Sequence, residues 1–328
     1  MPNLSRKVAV RLGLAALSLA LVGTTSVRAA EDVSKYPSKR INIVVGFAAG
    51  GFADTLARLI GQKLQDKWGQ TVVIDNRAGA GGNTAAKYVA GVEPDAYTIL
   101  ATTTAIAINE TLYKQRDYKL DELTAVAMPA SSAESLATHP SKPGNLKDFL
   151  AWAKDREITY GTAGVGSGSH IAAEYFFKVL AKVKANHVPF RGGALSVQAA
   201  VGNQIDTVAS SFGSAPQIVE GKLAGLAVAG TERSVAMPKV PTYEEGGFKG
   251  FVAESWVGFF LPSKTDPKIV DKLNGAINDI INDPQTKQYL TGLGYQLKTR
   301  STAESEKYLL SEVDNWGKMV KATGVTVE

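Results

Sequence analysis

Two glycine-rich stretches carry the residue types that could do chemistry. The first runs Gly46-Phe47-Ala48-Ala49-Gly50-Gly51-Phe52-Ala53-Asp54 and joins an apolar run to a segment of helical periodicity. The second, Gly164-Val165-Gly166-Ser167-Gly168-Ser169-His170, also precedes a helical segment. Glycine lets the chain turn tightly and lets a ligand approach the main chain. A helix starting there leaves its first N–H groups without intrahelical acceptors, at the positive end of its dipole. That chemistry holds anions. In open α/β sheets ligands sit at the carboxyl ends of strands, so two such loops would face one cleft. A hydrogen bond to a charged group contributes roughly 1.5–3 kcal/mol. Three or four of them, after ordering costs, support binding of about −8 kcal/mol.

The candidate contacts are Phe47, Ala48, Ala49, Gly50, Gly51 and Asp54 from the first loop and Gly166, Ser167, Gly168, Ser169 and His170 from the second. Asp54 would repel a carboxylate, so it either meets a hydroxyl, an amine or a bridging water, or complements the helix dipole. Arg191, followed by Gly192, is a candidate for a direct guanidinium–carboxylate pair, with a surface ion pair as the alternative. Thr103 and Asp206, each next to a predicted strand, complete this set.

Other chemistry lacks its motifs. There is no P-loop, no Gly-x-Ser-x-Gly elbow and no full dinucleotide fingerprint. His139, His170 and His187 are scattered without metal-ligand spacing. Cysteine is absent, which removes disulfides, thiol catalysis and cysteine-held metals. The expectation is therefore a binding protein without cofactor or metal, and not an enzyme. An α/β hydrolase or transferase is the remote alternative.

The elements that must position these loops follow from periodicity. Residues 41–47 read as a buried strand, 56–68 as an amphipathic helix ending at Gly69, 71–75 as a strand, 84–92 as a helix and 97–102 as a strand. That β-α-β-α-β order predicts a right-handed parallel unit. Residues 129–143 break the pattern. A second unit follows, with strands at 158–162, 187–190, 207–212 and 223–229 and helices between them. A strand at 256–261 and helices at 267–282, 285–293 and 302–321 end the chain and are expected to return to the first unit. Two crossings, near Ser131 and near Val252, would then form a hinge.

The N-terminus reads as an export signal. Arg6, Lys7 and Arg11 precede an apolar run over 12–22, and Val27-Arg28-Ala29 fits signal-peptidase cleavage. The formal charge of +5 includes four basic and no acidic residues in 1–29, so the remainder is near +1. A clustered basic stripe is missing, and no nucleic-acid partner is expected.

The chain resembles the substrate-binding proteins of tripartite tricarboxylate transporters, the Bug family. The resemblance runs through Tyr36-Pro37-Ser38-Lys39-Arg40, the 47–54 loop, Asn76-Arg77-Ala78-Gly79-Ala80-Gly81-Gly82-Asn83 and Pro94-Asp95-Ala96-Tyr97-Thr98. It continues through the 164–170 loop, His187-Val188-Pro189-Phe190-Arg191-Gly192, Val240-Pro241-Thr242 and Trp256-Val257-Gly258. It implies a two-lobed periplasmic-binding-protein fold of the Venus-flytrap, type II-like kind, each lobe a mainly parallel sheet flanked by helices. The lobes would be 30–131 with 253–328, and 132–252, after the 1–29 signal peptide. The resemblance also implies that the two loops hold a ligand carboxylate, largely through backbone groups and waters. Di- and tricarboxylates, acidic amino acids and aromatic carboxylates are the implied ligand classes. The implied partner is a two-component membrane permease, met in the periplasm by a monomeric receptor. A sensor of the same fold that signals to a membrane kinase is the alternative.

Three departures stand out. Gly46 and Ala96 replace the usual Pro and Gly, and the stretch 130–135 is unusually polar. Ser131 and Ser132 in that stretch are candidates to bond a second ligand group.

Overall fold

The computed structural model describes residues 32–327, so the expected signal peptide over 1–29 lies outside the described residues. β1 (Ile41–Val45) is apolar and almost wholly buried, as a strand covered on both faces must be. α1 (Phe52–Trp68) lays Leu56, Ile60 and Leu64 against the sheet. It ends at Gly69, whose left-handed φ of 68° lets its N–H close on Gln65 O. β2 (Val72–Asn76), α2 (Asn83–Ala90), β3 (Thr98–Thr103) and α3 (Ala105–Leu112) complete the first unit.

β4 (Leu123–Ala133) leaves this unit and β5 (Ser135–Thr138) enters the next. The second unit contains α4 (Leu146–Ala153), β6 (Ile158–Thr162), α5 (Gly168–Glu174), β7 (Ala185–Pro189), α6 (Gly193–Val201), β8 (Thr207–Ser210), α7 (Ser214–Val219) and β9 (Ala224–Val228). A π-helical turn, Tyr175–Ala181, prolongs α5. β10 (Glu254–Pro262) returns to the first sheet, followed by α8 (Pro267–Asn282), α9 (Pro284–Gly292), β11 (Gln296–Leu297) and α10 (Thr302–Thr323).

The first sheet has the order β11-β4-β10-β3-β1-β2 and the second β7-β6-β8-β5-β9. In the first, β1 to β4 point one way and β10 and β11 the other. In the second only β5 opposes the rest. Both are therefore mixed sheets in which one direction dominates, because β5 and β10, by which the chain enters each sheet from the other, run against the βα units. β10 is buried along all but its first residue. Trp256, Phe259 and Phe260 are at most 1% exposed, and full burial of such a side chain contributes about 1.5–3 kcal/mol.

The crossings are short. β4 ends at Ala133 and β5 begins at Ser135, so Glu134 alone makes the first. Its N–H donates to Ala253 O at 2.9 Å, and its carbonyl accepts from Ala229 N–H at 2.7 Å. Ala253 N–H donates in turn to Ala229 O at 2.8 Å. The two crossings are thus laced together at Glu134 and Ala253. Ser131 lies before this point and stays in the first sheet, opposite Trp256 and Gln296.

The last helix differs from its expected place. α8 packs Ile269, Leu273 and Ile277 into the first core with Leu56 and Ile60. α10 does so only through its first half, where Leu309 joins Val44 and Trp256. Its second half carries Trp316 and Val320 into the second unit's core beside Tyr160 and Phe176. The indole N–H groups of Trp256 and Trp316 both donate to Glu312 Oε2 at 3.0 Å.

Candidate functional site

Between the sheets lies a cavity of about 40 Å³, room for about three water-sized groups. Three helix starts converge on it. Gly51, Phe52 and Ala53 begin α1, Ser167, Gly168 and Ser169 begin α5, and Gly192 and Gly193 begin α6. No side chain caps α1 or α6, so their first amides have neither an intrahelical acceptor nor a capping oxygen. Ser167 Oγ caps α5 by accepting from His170 N–H at 3.2 Å. Phe47, Thr103, Ala163, Ser210, Ser211, Phe212, Ser255 and Glu134 complete the wall. Lysine, arginine and histidine are absent from these lining residues, and Glu134 is the one ionisable side chain among them.

The loops are held by groups outside the cavity. Asp54 is 1% exposed and accepts from Gly50 N–H at 2.8 Å, Arg58 Nε at 2.9 Å and Asn76 Nδ2 at 2.8 Å. Burial disfavours its charge, but the bonds from Arg58, Gly50 and Asn76 outweigh that and hold the carboxyl below its ordinary range. Asp54 is a brace for the 46–54 turn, not part of the cavity wall. Gly50 has φ +77°, which glycine adopts without strain.

The second loop rests on a histidine pair. His170 stacks on His187 with ring centres 4.0 Å apart, and its Nδ1 accepts from Gly166 N–H at 3.3 Å. Burial first and His187 second push His170 down to about 3, and burial takes His187 to about 4. Both rings are neutral and sit behind the loop. Gly166 has φ +79°, and a Cβ there would lie 3.0 Å from Asn109 Oδ1 and 3.1 Å from Leu112 Cδ2 across the gap. A Cβ on Gly192 would lie 3.6 Å from that of Ala48. The lobes are thus drawn together along these turns.

Of the residues singled out from sequence, Phe47, Gly51, Thr103, Ser167, Gly168, Ser169 and Gly192 line the cavity. Ala48, Ala49, Gly50, Gly166 and His170 shape the loops without lining it. Ser132 Oγ donates to Ser211 O at 2.6 Å and ties the two sheets together, while Ser131 Oγ donates to Glu254 Oε2 at 3.2 Å. Arg191 is exposed in a separate groove of about 520 Å³ with Gly79 to Gly82 and Val165. Asp206 is misplaced by the sequence reading. It precedes β8, whereas the cavity lies past that strand's other end, and it accepts from Thr159 N–H and Oγ1 at 2.8 and 2.9 Å.

Glu134 and Ser255 escaped sequence reasoning. Glu134 is 3% exposed, and its Oε1 accepts from Ser255 Oγ at 2.5 Å. Burial pushes its carboxyl up to about 8, against the opposing pull of the Ser255 and Ser211 hydroxyls. A hint existed in the polar 130–135 stretch. Ser255 carries no local signal. Ser210, Ser211 and Phe212 were reachable from the rule that ligands meet strand carboxyl ends. Phe212 also belongs to an aromatic cluster with Phe52 and Tyr295, at 5.8 and 5.2 Å.

Two sheet-and-helix lobes joined by laced crossings, with helix starts facing a shared cavity, define a solute-binding receptor of the periplasmic-binding-protein fold. The chain belongs to the tripartite tricarboxylate transporter receptor family, TctC, which residues 56–325 match. That family is one of receptors, not enzymes. BugT of Bordetella pertussis is 30% identical, with 99% of this chain and 100% of BugT covered. The structure of the periplasmic binding protein BugD superposes with a TM-score of 0.83 at 28% identity, covering 89% of this chain and 100% of BugD. MatC of Rhodopseudomonas palustris with bound malate gives a TM-score of 0.81 at 30% identity, covering 87% and 100% of the two chains.

Proposed function

We propose that this chain is a periplasmic receptor that closes its lobes on a small carboxylate and presents it to a two-component membrane permease. The observation that carries this reading is the convergence of three helix starts, at Gly51, Gly168 and Gly193, on one cavity whose lining has no cationic side chain. Their amides and the Thr103 and Ser169 hydroxyls supply an anion's hydrogen bonds without a fixed counter-charge, while the Ser167 hydroxyl already donates to Gly164 O. Phe47, Phe52 and Phe212 supply apolar wall for a carbon skeleton. The malate in MatC is a ligand of this chemical type.

The hinge in this reading is the pair Glu134 and Ala253, with the segment between them forming one lobe and the chain before and after it forming the other. Walls from both sheets surround the cavity, so entry in this reading requires the lobes to part. Ligand then favours the closed form only through contacts that the open form lacks.

Calorimetry on the chain without residues 1–29 tests the reading, with malate, succinate, adipate, citrate and benzoate as ligands. At least one should bind at about 10 µM or tighter, and its uncharged amide analogue should not. Equal binding of acid and amide, or no binding of any acid, would refute it. Transport is tested separately, by loss of uptake of that acid when a neighbouring permease gene is deleted.

A further inference from the structure

We propose that Glu134 is the specificity-determining residue of the cleft: it enters the complex as a neutral acid and donates a hydrogen bond to the ligand's carboxylate. This rests on the receptor reading above and concerns how that site tells ligands apart.

The geometry comes first. Glu134 is the single residue between β4 and β5, and both its backbone groups are tied to the other crossing. Its side chain is therefore the part that reaches the cavity, beside Ser255 and Gly168. One carboxyl oxygen, Oε1, accepts from Ser255 Oγ. The other, Oε2, is buried and accepts no hydrogen bond of good geometry; the Ser211 hydroxyl acts on the carboxyl less than Ser255 does. A buried polar atom of this kind is unfavourable unless something else completes it, and the residue that carries it lines the cavity.

Charge then decides what completes it. An ionised Glu134 beside a bound carboxylate would set two like charges together in a buried site with no cation among the lining residues. A protonated Glu134 turns the same contact into a donor–acceptor pair. Its surroundings allow this. Ser255 on β10 and Ser211 after β8 present hydroxyls. His170, two residues into α5, is neutral, and burial holds the Tyr243 phenol protonated. Glu254, the next residue along β10, is engaged with Ser131. Burial is the one cause that raises the Glu134 carboxyl, to about 8. The competing occupant is a ligand ammonium paired with an ionised Glu134.

The two make opposite predictions. If the acid must keep its proton, affinity for an ionised carboxylate is flat below the carboxyl's pKa and falls as pH rises through it. Calorimetry with malate, succinate, adipate and benzoate from about pH 6.5 to about pH 9.5 should show Kd rising about tenfold per unit in the upper part of that range. Glu134→Gln keeps an N–H donor of the same shape but cannot titrate. It should bind several-fold more weakly at low pH, with a flat profile. Glu134→Ala should be weaker still and equally flat, with circular dichroism confirming that both variants fold. A wild-type profile that stays flat, or affinity that improves with pH, overturns the assignment while leaving the receptor reading intact. So does a glycine-type amino acid that binds wild type and is lost in Glu134→Gln, which would make Glu134 an ammonium partner. No binding of any acid at any pH overturns both.

Discussion

Replacing Gly168 by alanine tests whether the start of α5 is fitted against Ser255 and Glu134. The backbone of Gly168 needs no special conformation, so any effect comes from the added methyl group. That methyl would collide with Ser255 Oγ and lie 3.0 Å from Glu134 Oε1. Both neighbours are buried, at 4% and 3% exposure, so neither can swing into solvent. Overpacking of this kind costs about 1–3 kcal/mol, which for a chain of this length lowers Tm by roughly 2–8 °C. The methyl also occupies part of the cavity and turns Ser255 away from Glu134. Losing one charge-assisted hydrogen bond to the ligand costs about 1.5–3 kcal/mol, or roughly 10- to 150-fold in Kd. Differential scanning calorimetry and ligand titration read the two effects separately. Adding Ser255→Gly removes the collision and should recover most of the lost Tm, but not the full affinity, because Glu134 then lacks its hydroxyl donor. A Gly168→Ala protein that melts and binds as wild type would refute the assigned packing. So would a double variant no more stable than the single one.

Three further outcomes follow from the geometry. Asp54→Ala should cost about 2–4 kcal/mol by freeing Gly50 N–H and Asn76, the exposed Arg58 adding little. Because the folded pKa of Asp54 is depressed, that stability is complete above about pH 5 and is lost as pH falls through the folded value, so the gap between wild type and variant in urea melts should close in acid. Gly166→Val meets both a left-handed backbone and the Asn109 and Leu112 side chains, so it should weaken carboxylate binding at least tenfold by obstructing closure, as titration would show. Arg191→Ala, in the separate groove, should change Kd by less than about threefold, and a larger loss would place Arg191 in the ligand's path.

The first unit was legible because its signals are local. An apolar run, a helix stripe with a glycine stop and a polar turn recur in order from Ile41 to Thr103. The stretch 129–143 read as a break, yet β4 runs to Ala133 and β5 spans Ser135–Thr138. Those strands are built from buried Ala and Ser on both faces, which gives no alternation. Pro129 sits inside β4 where its register with β10 shifts, a place that tolerates proline. The glycine loops of the site were legible for the same local reasons. Glu134 and Ser255 were not, because they meet only when two distant strands are laced together. Asp206 misled because its distance from a strand was read without asking which end of that strand faces the cleft. The division of α10 between two cores was also hidden, since one apolar stripe does not say how many partners it has.

A cavity floor made of peptide amides has consequences for divergence. Substitution by any residue but proline alters the side chain and leaves the N–H in place, so the residues around Gly51, Gly168 and Gly193 can drift while the anchor they form is inherited intact. Only changes that bend the main chain, or that add bulk at a glycine, remove it. The surrounding wall, Phe212, Ser211 and Glu134 among it, is free to be rewritten. One scaffold near 30% identity to its relatives can therefore serve many cargoes by editing a handful of positions. An anchor without mobile surface cations is also little screened by dissolved salt.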